Sequence, residues 1–183
     1  MKVIDECLNG VKLLEPVVHS DDRGFFIESY SQSTFHQLGI SFHPVQDNHS
    51  LSKQAGTLRG LHFQLPPFEQ AKLVRVLRGA IYDVVVDIRP DSSTFGQWYG
   101  YHVSSDNRYL LFVPNGFAHG FCTLVENTEV FYKVDAPYSP QHDAGILWSD
   151  PKLGIDWPPG DKILSKKDSL LPSFSEWLQR GEF

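Results

Sequence analysis

The chain is punctuated into short apolar runs. "VKLLEPVVH", "GFFIESY", "AKLVRVLRG", "AIYDVVVDIRP", "RYLLFVPNG" and "TEVFYKVD" are rich in Val, Ile, Phe and Tyr, and each is bounded by Gly, Pro, Asn or Asp. Runs of this composition and spacing predict an antiparallel sandwich or barrel. In Lys72–Leu77, strand alternation puts Lys72, Val74 and Val76 on one face. Arg78-Gly79 marks a turn, and Ala80–Ile88 reads as the strand returning from it. Helix signals are few. "SQSTFHQLG" offers Ser31 or Ser33 as N-cap and Gly39 as C-cap, and "SLLPSFSEWLQRG" predicts a second short helix ending near Gly181. The expectation is one mostly β domain over residues 1–183, with short peripheral helices.

A chain of 183 residues is long enough to bury a real core. Its formal net charge of -6, with 21% charged residues, gives no general pull towards nucleic acid or anionic membranes. A local basic pocket for a phosphorylated small molecule stays open. Cys7 and Cys122 are too few for a disulfide framework and lie outside any CxxC pair, so they read as reduced thiols. "MKVIDECLNG" lacks the apolar core of a signal peptide, and no apolar run approaches membrane-spanning length. The reading is a soluble cytoplasmic protein.

In "GTLRGLHFQ", Arg59 and His62 sit inside an apolar run, and His62 has three readings: core residue, metal ligand or catalytic base. Cupin-type β-barrels hold a metal on a His-x-His pair followed by a Glu, and on a P-x-G-x-x-H element. "PNGFAH", Pro114–His119, fits the second element. In the first, Gln64 stands where the second histidine would be. Two histidines without a close carboxylate make a poor transition-metal site. The metal reading is therefore weak, and no metal is expected.

As a base, a neutral imidazole suits removal of a proton from carbon beside a carbonyl. It needs an orienting group, a cation or donor for the enolate, and a proton donor elsewhere. Lys72 supplies a cation within a strand, Tyr132 a phenol, Asp83 and Asp168 carboxylates, and His119 a second imidazole. Each also has an ordinary structural reading: an edge lysine, a packed tyrosine, a cap, a satisfied core histidine.

Together these residues belong to a wider motif set: "DDRGFFIESY", "PVQDNHS", "LRGLHFQ", "QAKLVRVLRGAIYDVVVDIR", "STFGQW", "VPNGFAHGF", "YKVDAPYSPQHDAGILWSDPKLGIDWP" and "ILSKKD". From about Gly10 to Pro172 the chain resembles the dTDP-4-dehydrorhamnose 3,5-epimerases. The resemblance implies a cupin-like antiparallel β-barrel of jelly-roll type and a cofactor-independent isomerase acting on a dTDP-4-keto-6-deoxy sugar. It implies that His62, oriented by Asp168, removes the protons at C3 and C5. Tyr132 would return a proton from the opposite face, and Lys72 would hold the C4 oxygen as enolate charge develops. Arg23 and Arg59 would contact the diphosphate, and Glu28, Gln46 and Asn48 the thymidine end and sugar. Tyr138 would stack on thymine, with His119, Asp143 and Lys167 as further substrate contacts. A homodimer with exchanged N-terminal strands is implied, so that Arg23 or Glu28 serves the partner's site.

Three other readings compete: a single-centre 3- or 5-epimerase, a non-catalytic nucleotide-sugar-binding barrel, and a metal-dependent cupin oxygenase. One geometric expectation follows from the segment itself. Regular alternation puts His62 and Gln64 on one face and Arg59, Leu61 and Phe63 on the other. If Arg59 and His62 serve one pocket, the strand must be irregular at or beside Gly60.

Overall fold

The computed structural model describes residues 1–181. Its strands are β1 (Lys2–Cys7), β2 (Val11–Glu15), β3 (Val18–Asp21), β4 (Gly24–Ile27), β5 (Gln46–Ser52), β6 (Leu58–Gln64), β7 (Lys72–Arg78), β8 (Ala80–Asp87), β9 (Trp98–Ser104), β10 (Leu110–Val113), β11 (Phe117–Thr123), β12 (Thr128–Val134) and β13 (Asp143–Gly145). Two sheets carry the fold, ordered β1-β2-β10-β7-β12-β5 and β13-β6-β11-β8-β9. Their named strand pairs are all antiparallel. β3 and β4 form a separate hairpin that pairs only with itself. Among the described residues no helix is long and apolar enough to cross a membrane.

The period-2 pleat sorts each strand's side chains into layers. Val74 and Val76 of β7 meet Ile81 and Val85 of β8 and Phe121 of β11 in the space between the sheets. The alternate residues face outward. Val84, Val86 and Ala118 pack under α2 (Phe174–Arg180), through Phe174 and Trp177. Leu14, Leu73 and Phe112 pack under α1 (Gln32–Gln37), through Phe35. Both helices are thus lids on outer sheet faces. α2 ends on left-handed Gly181, as the tail motif predicts, and starts at a capping box between Ser173 and Glu176. At α1 Ser31 is the N-cap, but its hydroxyl bonds Ser33 rather than the helix backbone.

The predicted return of Ala80–Ile88 onto Lys72–Leu77 is not what the chain does. β7 lies in the first sheet, and β8 pairs with β11 and β9 in the second. Gly79 turns the corner between sheets at φ +82°, with Thr128 packed where a side chain would stand. Both strands bury one face against the same core, so alternation alone could not tell a hairpin from a sheet change.

The expected irregularity at Gly60 is present. On β11 two steps separate His119 and Phe121, whereas their β6 partners His62 and Arg59 are three apart. The extra residue is the phase slip that turns Arg59 and His62 onto the same inner face. Gly60 holds φ +132°, the Gly60–Leu61 peptide is cis, and a Cβ at Gly60 would lie 2.5 Å from Gly120 Cα. Backbone cannot yield as a side-chain tip can. Gly60→Ala is therefore expected to destabilise the fold by about 3 kcal/mol, read from the denaturant midpoint. A loss below about 1 kcal/mol would contradict this account of the bulge.

Candidate active site

One end of the inter-sheet space opens into a cavity of about 450 Å³, within the range of small-molecule sites. Its walls are the inward residues of facing strands. From the first sheet come Gln46, Asn48 and Ser50 on β5, Lys72 on β7 and Tyr132 on β12. From the second come Arg59 and His62 on β6 and His119 on β11, with Asp143 on β13. Asp168, Lys167 and Ser165 close the mouth from the segment before α2. The cavity thus gathers eleven of the thirteen residues to which the resemblance gives roles, from segments far apart in the chain.

His62 Nε2 lies 2.6 Å from Asp168 Oδ1. Burial alone would raise the Asp168 carboxyl, but the hydrogen bond from His62, a bond with Ser165 and the Lys167 charge outweigh it and hold it below its usual value. An ionised carboxylate accepts only, so Nε2 carries the proton and Nδ1 keeps the basic lone pair. On the facing sheet, burial raises the Tyr132 phenol, with the Arg59 charge opposing in part, so the hydroxyl stays protonated at neutral pH. His62 and Tyr132 line one cavity from different sheets, an imidazole with an open nitrogen on one and a protonated phenol on the other.

Lys72 lines the same cavity. It is buried, and its ammonium donates to the His62 carbonyl oxygen at 3.2 Å. Desolvation pulls its pKa down to about 8, against the attraction of Asp83 and Asp143. A strained cation of this kind gains from any negative charge formed beside it. Asp83, fully buried on the inner face of β8, lies 2.6 Å from His119 Nε2. The paired strands thus set two imidazoles side by side, His62 opposite His119, each with its own aspartate.

The remaining residues form the rim. Arg59 reaches across to the first sheet, donating to Ser52 Oγ at 3.3 Å and the Leu51 carbonyl at 3.4 Å. Gln46 donates to Asn48 and accepts from the Tyr138 backbone N–H. Tyr138 is 55% exposed, and its hydroxyl donates to Asp143, which also pairs with Lys167. An aromatic face presented this openly is available to stack on a planar ring.

Arg23 and Glu28 are not brought to this cavity. Arg23 occupies the β3–β4 turn, its side chain 90% exposed and paired with Asp21. Glu28, also exposed, accepts from Thr34. The hairpin joins neither sheet, so nothing in the fold carries these two residues to their own chain's site.

Sequence reasoning missed Ser50, Gln70, Phe121 and Ser165 as cavity walls. Ser50 was within reach of the pattern, since it continues the alternation of Gln46 and Asn48. Gln64, which occupies the position of the second cupin histidine, is spent on the backbone. Its amide donates to the carbonyls of Phe68 and Pro137 and accepts from the Ser139 N–H. Among the described residues no three His, Cys, Asp or Glu side chains converge to hold a metal ion.

Residues 5–176 match the dTDP-4-dehydrorhamnose 3,5-epimerase family. A dTDP-4-dehydrorhamnose 3,5-epimerase from Sinorhizobium fredii is 51% identical over 167 residues, covering 91% of this chain and 86% of that one. The crystal structure of the Bacillus anthracis enzyme with TDP and PPi bound is 56% identical, with TM-score 0.93, covering 94% of this chain and 99% of that one. A Legionella pneumophila dTDP-6-deoxy-D-glucose-3,5-epimerase, solved in complex with dTDP-4-keto-L-rhamnose, is 43% identical with TM-score 0.90, covering 95% and 93%. With sequence likeness running through every strand that lines the cavity, this chain belongs to the dTDP-4-dehydrorhamnose 3,5-epimerase family.

Proposed function

We propose that this chain converts dTDP-4-dehydro-6-deoxy-D-glucose to dTDP-4-dehydro-L-rhamnose by inverting C3 and C5 through enolate intermediates. The observation that carries the reading is the placement of His62 and Tyr132 on opposite sheets, across one cavity that also holds Lys72. Inversion needs two groups, because a base that took and returned the proton on one face would restore the starting configuration. The 4-keto group acidifies both neighbouring carbons, so a single enolate-stabilising cation serves both steps.

In this scheme His62 Nδ1 takes the proton, and Asp168 holds the imidazole in that tautomer and stabilises the imidazolium. Lys72 meets the charge developing on the C4 oxygen, and Tyr132 delivers a proton to the other face. Arg59 takes the diphosphate, a role suited to its forked guanidinium. Gln46, Asn48, Asp143, Lys167 and His119 orient the sugar and nucleoside, with thymine on the Tyr138 ring.

The deciding experiment is incubation with dTDP-4-keto-6-deoxyglucose in deuterated water, with a downstream reductase trapping the product. Deuterium at both C3 and C5 of dTDP-L-rhamnose is expected. Label in product at one carbon alone would select a single-centre epimerase, and no label at all would select a binding module.

The Lys72 cation makes the reaction pH-dependent. It is protonated below about 8, so kcat is expected to fall roughly tenfold per unit above that pH as the enolate loses its counter-charge. In Lys72→Arg, where the charge persists, the alkaline limb should move up. A limb that stays near 8 would assign it to another group. Stability has the opposite sign: between about 8 and the ordinary lysine value the unfolded chain binds more protons, so the Lys72 contribution improves as pH rises.

The working form in this proposal is a homodimer in which the β3–β4 hairpin carries Arg23 and Glu28 to the partner's cavity. Phe25 and Phe26 on that hairpin are 56% and 68% exposed, an apolar surface that a partner would cover. Mixing Arg23→Ala with His62→Ala subunits should then restore activity in heterodimers, and failure to complement would place Arg23 outside a shared site. Cys7 and Cys122 are free thiols, in keeping with a reducing, cytoplasmic setting.

A further inference from the structure

Four polar side chains point inward along β5: Gln46, Asn48, Ser50 and Ser52. Three are engaged, Gln46 with Asn48 and Tyr138, and Ser52 with Arg59. The fourth is not. Ser50 Oγ is shielded from solvent, lines the cavity and has no hydrogen-bond partner among the described residues. Shielded hydroxyls are nearly always paired. One on the wall of a reaction cavity is therefore placed to be paired during a step of the reaction.

The register shows which step. Asn48 lies opposite Tyr132 and Ser50 opposite Val130, so Ser50 is the diagonal neighbour of Tyr132 on the same inward face. A diagonal pair is within reach of an aromatic side chain. Arg59, coming from the other sheet, binds Leu51 and Ser52, the two residues that follow Ser50. Its charge also acts on the Tyr132 phenol. Phenol, guanidinium and unpaired hydroxyl thus share one corner of the cavity.

We propose that Ser50 is a positioning residue for Tyr132, donating a hydrogen bond to the phenolic oxygen once Tyr132 has given its proton to the sugar. This rests on the assignment of Tyr132 as proton donor. In that step the phenol O–H breaks and its electron pair stays on oxygen. The enolate C=C pair forms the new C–H bond, and C4–O⁻ returns to C=O. A phenolate in a shielded corner is costly unless it is hydrogen-bonded. Arg59 supplies charge, and Ser50 supplies a donor with no competing partner. Ser50 keeps its own proton, and water reprotonates Tyr132 between the two inversions.

The test measures kcat, KM and solvent-deuterium wash-in for Ser50→Ala and Ser50→Thr, in the native chain and in Tyr132→Phe. Ser50→Ala should lower kcat about tenfold with KM within twofold, while wash-in by His62 continues at the native rate. Ser50→Thr, which keeps the hydroxyl, should restore kcat. On the residual activity of Tyr132→Phe, Ser50→Ala should cost nothing further, because the bond it removes is already absent. Unchanged kcat, a raised KM at constant kcat, or the same tenfold loss in the Tyr132→Phe background would each overturn the assignment. Full activity in Tyr132→Phe alone would instead overturn the donor role, which separates the two failures.

Discussion

Replacing His62 with alanine is expected to lower turnover by about a thousandfold and to abolish deuterium wash-in at both C3 and C5. The size of the effect follows from the site's construction. Asp168 is paired with His62 and Asp83 with His119, Lys72 is a cation, and of the two imidazoles on this wall His62 is the open one, its side chain 33% exposed against 8% for His119. A proton that His62 removes therefore exchanges with water before it is returned, which makes wash-in a direct report on the base. Retained exchange at either carbon would require a second base, and His119, paired across the strands, would be the first to test. Asp168→Asn offers a graded comparison. The amide can still fill the space but no longer fixes the Nε2–H tautomer or stabilises the imidazolium, so activity should fall while binding is kept.

Tyr132→Phe should separate exchange from inversion. The ring and its burial are preserved, His62 still removes protons, and deuterium still enters from the His62 face. Delivery from the opposite face loses its donor, so L-configured product is expected to fall by about a hundredfold or more, with wash-in persisting. The contrast with His62→Ala is qualitative: one variant loses exchange, while the other keeps exchange and loses inversion. Full product formation by Tyr132→Phe would place the donor elsewhere in the cavity. The raised phenol supports the donor role, since burial keeps the proton on Tyr132 at neutral pH.

Much of this site was legible in one dimension because its residues sit on strands. Alternation put Lys72 with Val74 and Val76, and His62 with Gln64, before any fold was known. The same alternation failed for Arg59, and the failure was informative: two residues of opposite parity that serve one cavity demand a slip, and Gly60 provides it. Alternation with Gln46 and Asn48 could have placed Ser50 on the inward face, but a serine in a strand carries no signal of a role there. Only the bonding of its neighbours makes its free hydroxyl stand out. The path after Gly79 escaped for another reason. A turn followed by a strand reads alike whether the strand pairs with its predecessor or crosses to face it, and the choice is made by which distant strands, β11 and β9, offer edges to β8.

By itself, then, the sequence determined the β architecture, the short C-terminal helix ending near Gly181, the shared face of Lys72, Val74 and Val76, the slip at Gly60 and the family, because all of these depend on local period, local turn chemistry or linear motif order. The tertiary structure alone decided that His62 and Tyr132 line one cavity from different sheets. It also decided that Asp83 belongs to His119, that Lys72 is stripped of water to a pKa of about 8, and that Arg23 and Glu28 lie away from their own chain's cavity. These depend on distances between segments far apart in the chain and on the removal of solvent between them, neither of which is encoded at any single position.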